Sequence, residues 1–382
     1  MKPRTQMSSI KWYLWGILSV LCLLFAGGIL LAEQSMQKKL YDQQMAKRWG
    51  KDGNVAQVSA FFAEGEVDDV SYFRGIEATI ENALLQASVT SQKENARLWI
   101  QAVSRNGKVT LGTTKSKVEL EAVGVSGEFF MFHPQTMVTG SLFREDSMMS
   151  DGVVIDKETA WQLFGSGDVA GMQVMIGQVP HYITGVIERP RGRLYEAAGL
   201  NKSVCYLSIE SLQEYGTATG GFTYEVVMPN PIQNFALSAV KNAIGTENEA
   251  VVLIENSSRF TFLSILEVIK QFGIRSMSFK DIVYPYWENV ARGYEDIYAV
   301  LLLLKMILLF IPLAFFMVVM ILLWKRKKWT TKDTYNRIKD ILYDVSVKQG
   351  QKKKTHSTDR GKRKSDRTKE TKKKQEENYE ES

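Results

Sequence analysis

Residues 129–190 read FFMFHPQTMVTGSLFREDSMMSDGVVIDKETAWQLFGSGDVAGMQVMIGQVPHYITGVIERP. The stretch resolves into short strands around one short helix. Residues 136–140 form a brief apolar run closed by Gly140, and 152–155 form a second that is β-branched after its glycine. Asp156 offers an N-cap oxygen, and 158–164 then make two helical turns with Ala160, Leu163 and Phe164 on one side. Gly165 stops the helix, and Gly165, Gly167 and Gly171 make a loop. Residues 172–176, a Gly177-Gln178 turn and 181–187 predict a β-hairpin.

Outward from this block the same alternation continues. Residues 55–63 read as a strand and 71–87 as an amphipathic helix with Phe73, Ile76, Ile80, Leu84 and Leu85 in one stripe. Residues 97–103 alternate as a strand, Asn106-Gly107 predicts a hairpin turn, and 109–112 return. A strand at 118–125 leads into the central block. Downstream, 204–209 and 223–228 read as strands, 232–244 as a helix after Pro229-Asn-Pro231, and 250–254 as a strand. Residues 260–272 read as a helix with Leu263, Leu266, Ile269 and Phe272 aligned. Two β-α-β passages, 55–103 and 223–254, thus flank a strand-rich middle, which predicts an α+β fold with an inserted subdomain.

The central block resembles the MacB-like periplasmic core domain of ABC-type exporters and permeases. The resemblance rests on EFFMF leading to Gly140-x-x-Phe143, an acidic Glu145-Asp146, VVID followed by ETAWQLFG, the glycine loop, and YITGVIE. It covers 129–190 directly and the flanks in outline. It implies a porter-like β-α-β subdomain interrupted by a smaller β-rich one, about 129–220, between two transmembrane helices. It carries no catalytic motif. Permeases of the family have further spans after the ectodomain, normally four in all, whereas here a single span is followed by a basic tail. The expectation is a shortened, two-span form.

Two apolar runs support that layout. Residues 10–31 are almost uninterrupted, about the ~20 residues that cross a bilayer, and 297–324 are interrupted only by Lys305 and Pro312. The first run is longer than a signal h-region of ~7–15 residues and lacks a small-x-small site, so it reads as an anchor rather than a cleaved signal. The first eleven residues carry Lys2, Arg4 and Lys11 and no acid, the tail from Lys325 is basic, and 33–296 carry more acid than base, although the chain totals +6. The positive-inside rule then places both termini in the cytoplasm and the middle outside, in a two-pass protein of the bacterial cytoplasmic membrane. If the second span starts at Ile297, Lys305 is buried in it; if it starts at Met306, that cost of ~2.5–3.5 kcal/mol is avoided. The second placement sets the expected boundaries. Residues 1–9 are cytoplasmic, 10–32 span, and 33–50 form a helical stalk with Met36, Leu40, Gln43, Gln44 and Lys47 at helical spacing. Residues 51–280 form the ectodomain, and 281–305 a juxtamembrane aromatic segment and stalk. Residues 306–324 span again, 325–348 are basic and amphipathic, and 349–382 are a disordered Lys-rich tail.

No chemistry is advertised. There is no Walker A pattern, no Gly-x-Ser-x-Gly elbow, and the glycines at 165–171 lack dinucleotide-loop spacing. His133, His181 and His356 show no metal-ligand spacing, and His133 before Pro134 reads as a loop residue. Cys22 and Cys205 lie in different segments and predict no disulfide, and the sequons at Asn201 and Asn256 matter only in a glycosylating secretory pathway. No cofactor or metal is expected, and the tail lacks the aromatic interleaving of a nucleic-acid binder. Candidate contacts for membrane lipids or a partner are Tyr284, Tyr286 and Trp287 outside the second span, Lys305, and the cluster Lys325, Arg326, Lys327 and Lys328. The leading expectation is a non-catalytic subunit of an ABC-type permease or mechanotransmission complex. It would work with a separate ABC ATPase and a longer permease, or as a homo-oligomer. The alternative is an envelope scaffold or sensor, and a membrane-anchored enzyme would require a polar cleft in the ectodomain.

Overall fold

A computed structural model describes residues 4–50, 54–90, 96–143, 150–245, 250–275, 282–326 and Lys339. The chain divides into two units, one of 1–19 with 311–382 and one of 20–310. In the first, the described residues are helical ends, with the Trp12 and Phe315 rings 5.9 Å apart. The second contains everything else.

One ten-stranded sheet organises the second unit. Its strands are β1 Val55–Phe62, β2 Ile100–Gly112, β3 Lys117–Gly127, β4 Thr136–Gly140, β5 Gly152–Asp156, β6 Gln173–Ile176, β7 Val179–Glu188, β8 Val204–Ser208, β9 Thr217–Pro229 and β10 Val251–Glu255. They run in the order β10-β1-β9-β2-β3-β8-β5-β7-β4, with β6 paired to β7 and to the end of β2. Among the described strands only β3/β8 and β5/β7 pair in parallel. The helices are α1 Arg4–Gln37, α2 Tyr72–Gln86, α3 Lys157–Phe164, α4 Ile209–Tyr215, α5 Phe235–Ile244, α6 Phe262–Lys270 and α7 Tyr286–Arg326. The α+β expectation holds, with β4–β8 and α3 drawn from the inserted part. The long β2–β3 hairpin carries the sheet through both parts without a break.

Period-two alternation sorts the side chains. Ala56, Val58, Ala60 and Phe62 of β1 and Tyr224, Val226 and Met228 of β9 face α2 and α5, where Phe73 stacks on Tyr224 at 5.4 Å. The inserted part has its own core around Val153, Ile155, Ala160, Ile183, Leu207 and Leu212. The other face of the sheet is covered by Met45, Phe129, Phe132 and Trp287. Asp156 is the cap expected for α3: its Oδ1 accepts from Thr159 N at 2.7 Å and its Oδ2 from Val204 N at 2.9 Å, and Arg189 lies 3.0 Å away. Gly165 closes the helix at φ 71°.

Four expectations are corrected. Asn106-Gly107 is not a turn: β2 continues through it, with a shift in its register against β9 between Arg105 and Gly107, and the turn lies at 113–116. Gly107 is needed instead for close approach, since a Cβ there would stand 2.7 Å from the Thr217 carbonyl. Ile209, read as the last residue of a strand, instead opens α4, which is capped by Ser208 on Ser211 N at 3.1 Å. The stalk at 33–50 is not one helix. The helix ends at Gln37, a turn and the short helix Met45–Trp49 follow, and Leu40, Gln43 and Met45 are buried. Helix α6 buries Ile265, with Val268 and Ile269 beside it, while Leu263 and Phe272 stay exposed, so the packed stripe is displaced from the one expected. The segment 144–149 with Glu145-Asp146, and nearly all of the basic segment and tail, lie outside the described residues.

Candidate functional site: a buried polar junction

The face of the sheet opposite α2 and α5 carries polar side chains at inward positions: Gln57 and Ser59 on β1, Glu225 on β9. Ser59 and Glu225 are direct cross-strand partners. Burying such groups costs several kcal/mol unless every one is paired, and the rest of the chain supplies the pairs.

His133 follows a single helical turn, Phe129–Phe132, whose Phe129 and Phe132 anchor it in the core. Its side chain is fully buried. Nδ1 lies 2.9 Å from Asp42 Oδ1, and Nε2 bonds to Glu225. Both ring nitrogens face carboxylate oxygens, so only the doubly protonated ring satisfies the site. Burial pulls its pKa down, but the Glu225 charge and the hydrogen bonds the ring donates to Asp42 and Glu225 outweigh it and raise it from 6.5 to about 9. The imidazole also packs on Trp287, with ring centroids 4.1 Å apart.

The network continues in the other direction. Ser59 Oγ donates to Glu225 at 2.7 Å and accepts from Asn256 Nδ2 at 2.7 Å. Arg259 donates to Asn256 Oδ1 at 3.2 Å and to both oxygens of Glu288, at 2.6 and 2.8 Å. Its Nε bonds to Glu295. Burial lowers the Arg259 pKa and the charges of Glu288 and Glu295 raise it further, so the net direction is upward and the guanidinium stays charged. Arg292 then donates to Glu288 at 2.7 Å and lies 3.7 Å over the Tyr284 ring. One hydrogen-bonded path thus runs from Asp42, just after α1, through the sheet to Glu288 and Glu295 at the start of α7. Backbone contacts reinforce it: Gln43 Nε2 donates to Trp287 O at 3.1 Å, and Gln57 Nε2 donates to Asp42 O at 2.7 Å.

Below this junction the two helices meet again. Lys305 Nζ lies 2.6 Å from Glu33 Oε2, both largely shielded from solvent. Tyr298 OH donates to the Glu33 carbonyl at 3.4 Å.

The expected contact residues are therefore scattered in role. Trp287 is 2% exposed and lies in the core against His133 and Phe129. Tyr286 is half-buried, its hydroxyl 3.3 Å from that of Tyr206. Tyr284 stacks on Arg292 and meets Phe61 edge-on. Lys305 is the partner of Glu33. Lys325 is exposed near the end of α7, Arg326 is its last residue, and Lys327 and Lys328 lie outside the described residues. The structure joins Tyr284, Tyr286 and Trp287 at one junction and leaves Lys305 apart from it. Sequence reading missed Asp42, Glu225, Ser59 and Arg259, and set His133 aside as a loop residue. The available signal was the polar residue at an inward strand position in VAQVSAFF and TYEVVM. Asn256, at a sequon, is buried in the network.

The arrangement holds charges in place and does not present them. Ser59 donates to Glu225 and not to the imidazole, and His133 is closed to solvent. Among the described residues no three His, Cys, Asp or Glu side chains are placed to hold a metal. Cys22 and Cys205 are both free and buried, and burial with the nearby Asp156 charge pushes the Cys205 thiol upward.

The family description "MacB-like periplasmic core domain" matches residues 17–244. The macrolide export ATP-binding/permease protein MacB of Chromobacterium violaceum is 32% identical over 78 residues, which is 20% of this chain and 12% of that protein. The protein of the same description from Pasteurella multocida is 35% identical over 75 residues, 19% and 12% of the two chains. The chain thus spans about an eighth of the length of these relatives. The periplasmic region of MacB from Actinobacillus actinomycetemcomitans is 14% identical, with 56% of this chain and 92% of that one covered and a TM-score of 0.37. The extracellular domain of the noncanonic ABC-type transporter YknZ from Gram-positive bacteria is 14% identical, with 52% and 99% covered and a TM-score of 0.34.

Proposed function

The chain belongs to the MacB-like periplasmic core domain family, and from that premise we propose that it is a non-catalytic membrane subunit of an ABC-type permease, exporter or mechanotransmission complex. Helices α1 and α7 are long and apolar enough to cross a membrane. In this reading they span at 10–32 and 306–324, with both termini cytoplasmic and the domain outside.

The observation that carries the reading is the junction. The segment leaving α1 and the segment entering α7 are both bonded into the same buried path, Asp42–His133–Glu225–Ser59–Asn256–Arg259–Glu288. A displacement of either helix is then delivered to the sheet through directional, charge-assisted hydrogen bonds rather than absorbed in a loose linker. The work would come from a separate ABC ATPase acting with a longer permease, or from a second copy of this chain in such an assembly. The burial of the junction, with His133 and Glu225 closed to solvent, supports a transmitting role.

The test is purification of the chain from its native membrane in mild detergent, followed by identification of co-purifying proteins. An ABC ATPase and a multispan permease are expected. Recovery of the chain without either sinks the proposal and favours the envelope scaffold or sensor reading.

A further inference from the structure

A cavity of about 670 Å³ lies between the C-terminal half of α2 and the start of β2. That volume falls in the range of small-molecule sites, about 300–1,000 Å³. The cavity shares no residue with the polar junction. One wall is α2. Glu81 follows Glu77, and Leu84 and Leu85 follow Glu81, at spacings of three or four residues, so all four share one side of the helix. The other wall holds Trp99 and Gln101, at the start of β2, and Glu128, just after β3.

The lining is amphipathic and one-sided in charge. Three carboxylates stand against one guanidinium, that of Arg97, which lies 2.7 Å from Glu128. The Arg97 side chain is exposed, and such a pair is weak enough for another cation to displace. The last turn of α2 supplies no basic residue, and its end adds the negative pole of the helix dipole. Gln101 donates to Glu77, while its own Oε1 is buried with no hydrogen-bond partner among the described residues. That open acceptor calls for an N–H donor. Leu84, Leu85 and Trp99 give the same cavity an apolar floor. The acids are spread out rather than convergent: among the described residues no three are placed to hold a metal ion. Their complement is a chain of separated ammonium groups joined by methylenes.

We infer that this cavity binds a small aliphatic polyamine. Its ammonium groups meet Glu77, Glu81 and Glu128, and its methylenes lie along Leu84, Leu85 and Trp99. The site is independent of the proposed transmitting role and of the two-span reading.

The test is isothermal titration calorimetry of the full chain with spermidine, in an uncharged maltoside detergent because anionic lipids bind polyamines themselves. Hexylamine, with one ammonium, and calcium are titrated in parallel. Two charge reversals are compared, Glu81→Lys in the cavity and Glu64→Lys outside it. Both positions are exposed, so the fold is not at stake, and both change the net charge equally. Saturable spermidine binding is expected. Glu81→Lys should weaken it about tenfold, since an attraction becomes a repulsion, and Glu64→Lys should leave it unchanged. Absence of saturable binding overturns the inference. Equal weakening by Glu64→Lys also overturns it, because the acidic domain then attracts cations without a site. Hexylamine binding as tightly as spermidine refutes the need for separated charges, and displacement of spermidine by equimolar calcium shows a metal site instead.

Discussion

His133 makes the junction sensitive to pH in a way that can be calculated. The folded chain holds its imidazolium with a pKa of about 9, against 6.5 for an unperturbed histidine. Between these values the folded state keeps a proton that the unfolded state has released. The stabilisation is therefore present in full below about pH 6.5, declines as pH rises, and is gone once pH has passed through about 9. At about 1.36 kcal/mol for each pH unit separating the two values, it amounts to roughly 3 kcal/mol. The side chain is wholly buried, so solvent screening does not discount the figure.

The assay is urea unfolding of the detergent-solubilised chain, followed by near-ultraviolet circular dichroism at pH 6, 7.5 and 9.5. The native chain should lose about 2–3 kcal/mol across that range. His133→Gln should be less stable at pH 6 by about 3–5 kcal/mol, because it strands Asp42 and the buried Glu225 without a cation, and its pH slope in this window should vanish. Adding Glu225→Gln removes one stranded charge and should recover part of the loss. An unchanged slope in His133→Gln refutes the assignment of a buried imidazolium, whatever the absolute stabilities.

Three further outcomes follow from the same geometry. Lys305→Met should lower the thermal midpoint by stranding Glu33, at a cost of up to about 3–5 kcal/mol, and the exchange Glu33→Lys with Lys305→Glu should restore most of it if the pair is the cause. Asp156→Ala removes both the cap on Thr159 N and the acceptor for Val204 N; about 2–4 kcal/mol should be lost in denaturant titrations, and Asp156→Asn should lose less. Gly107→Ala sets a Cβ against the Thr217 carbonyl and should cost about 1–3 kcal/mol, with faster amide exchange across the β2/β9 pairing; a neutral effect would show that β9 moves aside freely.

What the sequence disclosed was local. α2 is legible because it buries one face at the helical period, β1 and the strands of the 152–188 block because they are short apolar runs buried on both faces or bounded by glycine turns, and Asp156 and Gly165 mark the ends of α3. Asn106-Gly107 misled because the dipeptide serves equally for a tight turn and for a strand that another backbone approaches closely; Thr217, which decides between them, is far along the chain. The 33–50 segment carries helical spacing, yet Leu40 and Met45 find better burial against the sheet than a free helix could offer. The polar junction was illegible for the same reason in stronger form. Asp42, His133, Glu225 and Arg259 come from four separate segments, and no spacing rule links them.

That the junction is polar at all is informative. A buried ion pair is seldom more stabilising than apolar side chains of the same volume, while losing one partner is expensive. An apolar plug between Trp287 and the sheet would have held α1 and α7 as firmly against unfolding. It would also have tolerated sliding, because dispersion contacts are short-ranged and non-directional. Arg259 gripping both oxygens of Glu288 while reaching Asn256 and Glu295 has a single geometry in which all donors are satisfied. Moving α7 by an ångström would break these bonds together or carry Arg259, Asn256 and Ser59 along. Through Glu225 and His133 the same displacement reaches Asp42 at the foot of α1. A network of this kind keeps α1, α7 and the sheet in register, which is what the proposed transmitting role would require.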